Sequence, residues 1–233
     1  MIYDLDMQEI KTADNAFNVK YAYLRASLDI QQVAFDLRGL HLVSPAEYAK
    51  MNTNLPKGHL FSKDSRTNMD IFYHTKNKQI VLIKNGPLGN ILIKELVNAH
   101  RFGEFVLTEK IQRDIAYAIV DAAKKTDSAL VIGPGSRHIL AQDFGSNDIT
   151  DFMYTDLSID ARAKDYGNYI HKRFGLDGVT FYFDDANYMR NQKGSYFTKL
   201  SVSGFADDFD VGDDKDSQSS EDGAFGVCFN PVG

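Results

Sequence analysis

The spacing of apolar and polar positions changes several times along the chain, and each change marks an element. Met69 to Tyr73 and Gln79 to Ile83 are apolar runs on either side of the polar His74-Thr-Lys-Asn-Lys78, which predicts a hairpin with a five-residue loop. Ser44-Pro45-Ala46-Glu47 is a helix start: serine in the cap, proline at the first helical position, glutamate three residues after the cap. Between Tyr21 and Leu40 helical and alternating patterns mix, and Val33 to Leu37 reads as a short strand. Ile91 to Phe102 carries Ile91, Leu92, Leu96 and Ala99 on one helical face. Phe105 to Leu107 is then a short strand, Thr108 caps a long amphipathic helix to Lys125, and Ala129 to Ile132 is a second strand. Ile149 to Tyr154 reads as a third strand and Ser158 as the start of another helix. That helix ends at Gly175, and Val179 to Phe183, β-branched and aromatic, reads as a fourth strand covered on both faces. Tyr196 to Ser203 and Phe225 to Phe229 are the last two strands expected.

Strands alternating with helices over residues 103–185 predict an α/β fold with a partly parallel sheet built from β-α-β units. The expected division is an irregular α+β region at 1–100 with its hairpin at 69–83, an α/β core at 101–205, an acidic loop at 206–222 and a terminal strand at 223–233.

Charge alters this picture in one place. Residues 206–222 hold eight acidic residues and one lysine, a net of −7, so the chain's −6 leaves +1 for the rest. The body is balanced, no basic stripe argues for nucleic acid, and the acidic segment is a candidate contact for a protein partner. Cys228 is the single cysteine, which rules out an internal disulfide or a zinc cluster from this chain, and the six histidines show no metal-ligand spacing. No cofactor is expected: Gly133-Pro-Gly135-Ser136-Arg137 follows a strand but has His138 where a dinucleotide fingerprint needs glycine. Within 206–222, Asp208, Asp210 and Gly212 miss the calcium-loop register. The mixed, acidic N-terminal stretch and the lack of any long apolar run lead to the expectation of a soluble chain, cytoplasmic or within an assembly, and no membrane partner.

The strongest candidate chemistry lies where the fourth strand runs out. Asp184 and Asp185 follow it directly, and Asp156 closes the third expected strand, so two or three carboxylates would share one rim of a parallel sheet. Tyr154, Tyr182, Asn187 and Tyr188 stand nearby as ligand contacts. The plainer reading makes Asp156 or Ser158 a helix cap and Asp184-Asp185-Ala-Asn187 a turn.

Residues 154–188, with Asp156, Gly175, Asp177, Gly178, Val179 and Asp184 at the matching positions, resemble a segment of TIM-barrel glycoside hydrolases of the polygalactosaminidase-like type. The resemblance implies a modified or incomplete barrel that binds or hydrolyses a glycan, with Asp184 and Asp156 catalytic and Asp185 in reserve. The stretch from Val179 to Asp184 is two residues longer than that pattern. The alternative is a non-enzymatic subunit of a larger assembly, for example a virion component.

Overall fold

A computed structural model describes residues 5–11, 17–54, 63–89, 100–101, 104–106, 110–192, 194–203, 210–214 and 223–231. Thirteen strands among them form one sheet: β1 (Gln8–Lys11), β2 (Phe17–Arg25), β3 (His41–Leu42), β4 (Ser65–His74), β5 (Gln79–Ile83), β6 (His100–Arg101), β7 (Glu104–Val106), β8 (Ala129–Ile132), β9 (Arg137–Leu140), β10 (Gly178–Tyr182), β11 (Tyr196–Val202), β12 (Asp210–Asp214) and β13 (Gly223–Pro231). The helices are α1 (Leu28–Asp36), α2 (Pro45–Asn54), α3 (Lys110–Lys125), α4 (Asp148–Tyr154), α5 (Ala163–Phe174) and α6 (Ala186–Asn191).

The main path through the sheet runs β1-β2-β13-β4-β11-β12-β10-β9. The path is open at both ends, so the sheet is not the barrel that the hydrolase resemblance implies. Among the described residues pairing is mainly antiparallel, and parallel contacts are confined to β10 with β12 and a single register point between β13 and β4. β7, α3 and β8 do follow one another, but β7 pairs with β11 and β8 with β5, both antiparallel, so they do not make the adjacent parallel pair of a β-α-β unit.

Strand alternation then splits the core by face. Ile71, Tyr73, Ile80, Leu82, Tyr196 and Leu200 point to the side covered by α2, α4 and α5, where Tyr48, Met51, Met153, Tyr154, Tyr166 and Ile170 meet them. Phe72, Val81, Ile83 and Phe197 point the other way, onto Ala116, Val120 and Ala123 of α3. Ala22 and Ala224 of the β2/β13 arm pack on the same side against Leu28, Ala34 and Phe35 of α1.

Several expected elements change identity. Ile149 to Tyr154 is helical, not a strand: Asn147 caps α4 by accepting from Ile149 N, and Ile149 and Met153, four residues apart, are buried together. Asp156 therefore follows a helix. Ser158 lies in a single turn, Leu157–Ile159, and the next helix begins only at Ala163. Val33 to Leu37 belongs to α1 and its cap rather than to a strand; α1 buries Leu28, Gln31, Gln32, Ala34 and Phe35. β10 is covered on one face only, with Val179 and Phe181 buried and Tyr182 exposed. Within 206–222, Asp210–Asp214 is a strand between β10 and β11, with Val211 buried, and the remainder lies outside the described residues. The helix expected over 91–102 also lies largely outside them, and His100–Arg101 at its end is β6. No described helix is long and apolar enough to cross a membrane.

Candidate ligand-binding cleft at the sheet fork

β4 shares one of its edges between two arms. At its start Arg66 is level with Ala224 of β13, and further on Asp70 to His74 pair with β5. Between these contacts the arms part, and Asn68 bridges the gap: its N–H donates to Val43 O at 3.0 Å, and its carbonyl accepts from Gly86 N at 3.0 Å. The fork leaves a two-lobed cleft. The first lobe, about 230 Å³, lies towards α2 and α4 and is lined by His41, Ser44, Glu47, Asn68, Lys84, Asn85 and Asp156 among others. The second, about 290 Å³, lies towards α1, where Gln32, Phe35, Asp36, Leu42 and Gly86 complete its wall. His41, Asn68 and Asn85 belong to both.

Local sequence explains how this wall is held together. Ser44 and Glu47 form the reciprocal cap expected of them, with Glu47 N donating to Ser44 Oγ at 3.1 Å and Ser44 N to Glu47 Oε2 at 2.7 Å. The other carboxylate oxygen, Oε1, holds His41 Nε2 at 2.8 Å. This hydrogen bond raises the His41 pKa against the opposing effect of desolvation. Asn68 and Asn85 interlock across the fork, Nδ2 of the first donating to Oδ1 of the second at 2.8 Å. Asn85 has φ +50°, a left-handed conformation that asparagine tolerates better than most residues.

Beneath the second lobe lies a buried charge pair. Lys199 and Asp70 stand directly opposite in the β11/β4 register, with Nζ 2.6 Å from Oδ1 and both side chains 0% exposed. Asp70 Oδ2 accepts from Leu88 N at 2.6 Å, and a Cβ on Gly86 would overlap the Asp70 carboxyl group. The turn after β5 thus rests directly on this carboxylate.

Lys84 brings an ammonium to the first lobe. Its ammonium lies 4.6 Å from the centre of the Phe152 ring, and among the described residues no carboxylate closes an ion pair with it. Desolvation lowers its pKa, while the charges of Asp156 and Asp151 oppose that shift.

The sequence-predicted site residues separate. Asp156 lines the first lobe and also accepts from Ser158 N and Oγ, at 2.9 and 2.6 Å. Asp184 lies by Tyr73 and Tyr196, accepting from Tyr196 Oη at 2.7 Å while its own N–H donates to Tyr73 Oη at 3.4 Å. Tyr73 is five positions along β4 from Asn68, about 16 Å at the rise of a strand. Asp185 caps α6, accepting from Asn187 N and Tyr188 N at 2.7 Å each. Tyr154 is buried beside Phe144 and Tyr166, and burial raises its pKa. Tyr182, Asn187 and Tyr188 are exposed around the end of β10. Asn68, Lys84 and Asn85 carried no motif to mark them. Lys199 and Asp70 did carry a signal, a single charge inside each of the strongly apolar strands YFTKLSV and NMDIFY.

No family model matches the chain, and no curated protein does. Its structure is similar to a solved one described as "Accommodation of massive sequence variation in Nanoarchaeota by the C-type lectin fold", with a TM-score of 0.52, 13% identity and 99% of each chain covered. This likeness overturns the resemblance to TIM-barrel glycoside hydrolases, which rested on a turn and strand common to many folds. At that identity it establishes architecture alone: the chain has a fold similar to that of C-type lectins.

Proposed function

We propose that the chain is a binding protein whose cleft at the sheet fork takes a carbohydrate. The observation that carries this reading is the unclosed pair in the first lobe. Lys84 and Asp156 influence one another electrostatically, yet no ion pair joins them. A sugar hydroxyl both accepts and donates, so one hydroxyl group, or two on adjacent carbons, would accept from the ammonium and donate to the carboxylate. Glu47, Asn68 and Asn85 add further side-chain oxygens and amides to the same lobe. The similar solved structure is described as a fold that accommodates massive sequence variation, which suits a scaffold that carries recognition on its loops and edges.

The test is calorimetric titration of the full chain with a panel of oligosaccharides, repeated on Lys84→Met and Asp156→Asn. Removing a charged hydrogen-bond donor should weaken binding by about tenfold or more. Release of reducing ends is followed in parallel, and none is expected. Wild-type affinity in both variants would refute the placement, and a wild type that binds no glycan would refute the function.

A further inference from the structure

We infer that the sugar taken by the cleft carries an acetamido group, read by the Asn68–Asn85 pair; this rests on the carbohydrate reading above. The pair uses one donor and one acceptor internally, Asn68 Nδ2 to Asn85 Oδ1 at 2.8 Å. That leaves the Asn68 side-chain oxygen Oδ1 and the Asn85 side-chain Nδ2 hydrogens at the rim shared by the two lobes, with no further hydrogen bond to described residues. Asn68 is half-buried and Asn85 exposed, so both are within reach of a ligand. Rotating both amides by half a turn exchanges which residue donates and leaves the outward pair one acceptor and one donor.

The complement of such a pair is a group that holds one N–H and one C=O side by side, as a secondary amide does. Asn68 Oδ1 accepts the ligand N–H, and Asn85 Nδ2 donates to the ligand carbonyl. A diol also offers a donor and an acceptor, but the second lobe decides against it. There the wall next to the amide pair includes Phe35 and Leu42, which suit a methyl group rather than another hydroxyl. Lys199 is already neutralised by Asp70 at 2.6 Å, which disfavours a buried anionic substituent in that lobe. The arrangement seats the sugar's hydroxyls in the first lobe, its amide across the rim and its acetyl methyl in the second.

The experiment titrates the full chain with N-acetylglucosamine and N-acetylgalactosamine oligomers, with the matching glucose, galactose and glucosamine oligomers, and with N-acetylalanine methylamide as a sugar-free amide. Asn85→Gly is run beside the wild type, because glycine keeps the left-handed backbone and removes only the side chain. The acetylated sugars should bind roughly tenfold tighter than their parents, and Asn85→Gly should lose about fivefold of that preference. Saturation-transfer NMR on the wild type, which depends on no variant, should show the acetyl methyl as the most strongly contacted group. Equal binding of acetylated and plain sugars overturns this inference and leaves the carbohydrate reading standing. Preference retained in Asn85→Gly overturns the assignment to the amide pair. Binding of the sugar-free amide without any sugar overturns both readings.

Discussion

Lys199→Met tests how the cleft floor is held. The substitution keeps an unbranched apolar stem one atom shorter than lysine's and removes the positive charge 2.6 Å from Asp70. Asp70 would keep its hydrogen bond from Leu88 N, but its carboxylate, 0% exposed, would lose the ammonium 2.6 Å away. Breaking a buried pair by deleting one partner costs roughly 3–5 kcal/mol. No discount for solvent applies, because neither side chain touches water. For a chain of this size each kcal/mol shifts the melting temperature by about 2–4 °C, so the variant should melt about 10 °C below the wild type. Differential scanning calorimetry and urea denaturation of both proteins measure the loss. Adding Asp70→Asn to Lys199→Met should recover part of it, since a neutral amide still accepts from Leu88 N and leaves no buried charge. A loss below about 1 kcal/mol in the single variant, or no recovery in the double, would refute the argument that this pair supports the turn at Gly86.

Three further outcomes follow from single residues. Gly175 closes α5 at φ +70° with open space around it, so Gly175→Ala should cost about 1 kcal/mol from backbone strain alone, read by urea denaturation. Tyr196→Phe removes the hydroxyl that donates to buried Asp184 at 2.7 Å and should cost roughly 1–3 kcal/mol in the same assay. His41 has a raised pKa in the folded chain through Glu47, so the stability it contributes is complete below its unfolded pKa of about 6.5 and is lost as pH rises through the folded value. His74 is shifted the opposite way by desolvation, so the measurement is the difference in melting temperature between wild type and His41→Gln. That difference should shrink from pH 6 to about pH 8, and a constant difference would show that His41 does not titrate with folding.

What the residues disclosed was local. Ser44 and Glu47 announced their reciprocal cap, Gly175 its left-handed turn, and Tyr196 to Ser203 a strand. What they hid was pairing. An apolar stretch such as Ile149 to Tyr154 fits either a short strand or two turns of helix, and the deciding contact was the Asn147 side chain on Ile149 N. A strand there would put Asp156 and Asp184 on one parallel rim, whereas the helix leaves them at different levels of β4. The cleft itself exists because β5 and β13 leave one edge of β4 at different points, a relation among residues near 66, 70 and 224 that no local window contains.

The place of β13 has a consequence for how the chain reaches this state. It lies between β2 and β4 in the main path of the sheet, and its register with β2 joins Ala224 to Leu24, 200 positions apart. Closing so long a loop is entropically uphill until many contacts form at once, which makes the β2–β13 ladder a late event and folding slow. Until then β2 and the start of β4 present open edges carrying Val19, Tyr21 and Met69, sites where a second chain can add a strand. Refolding yield should therefore fall as protein concentration rises.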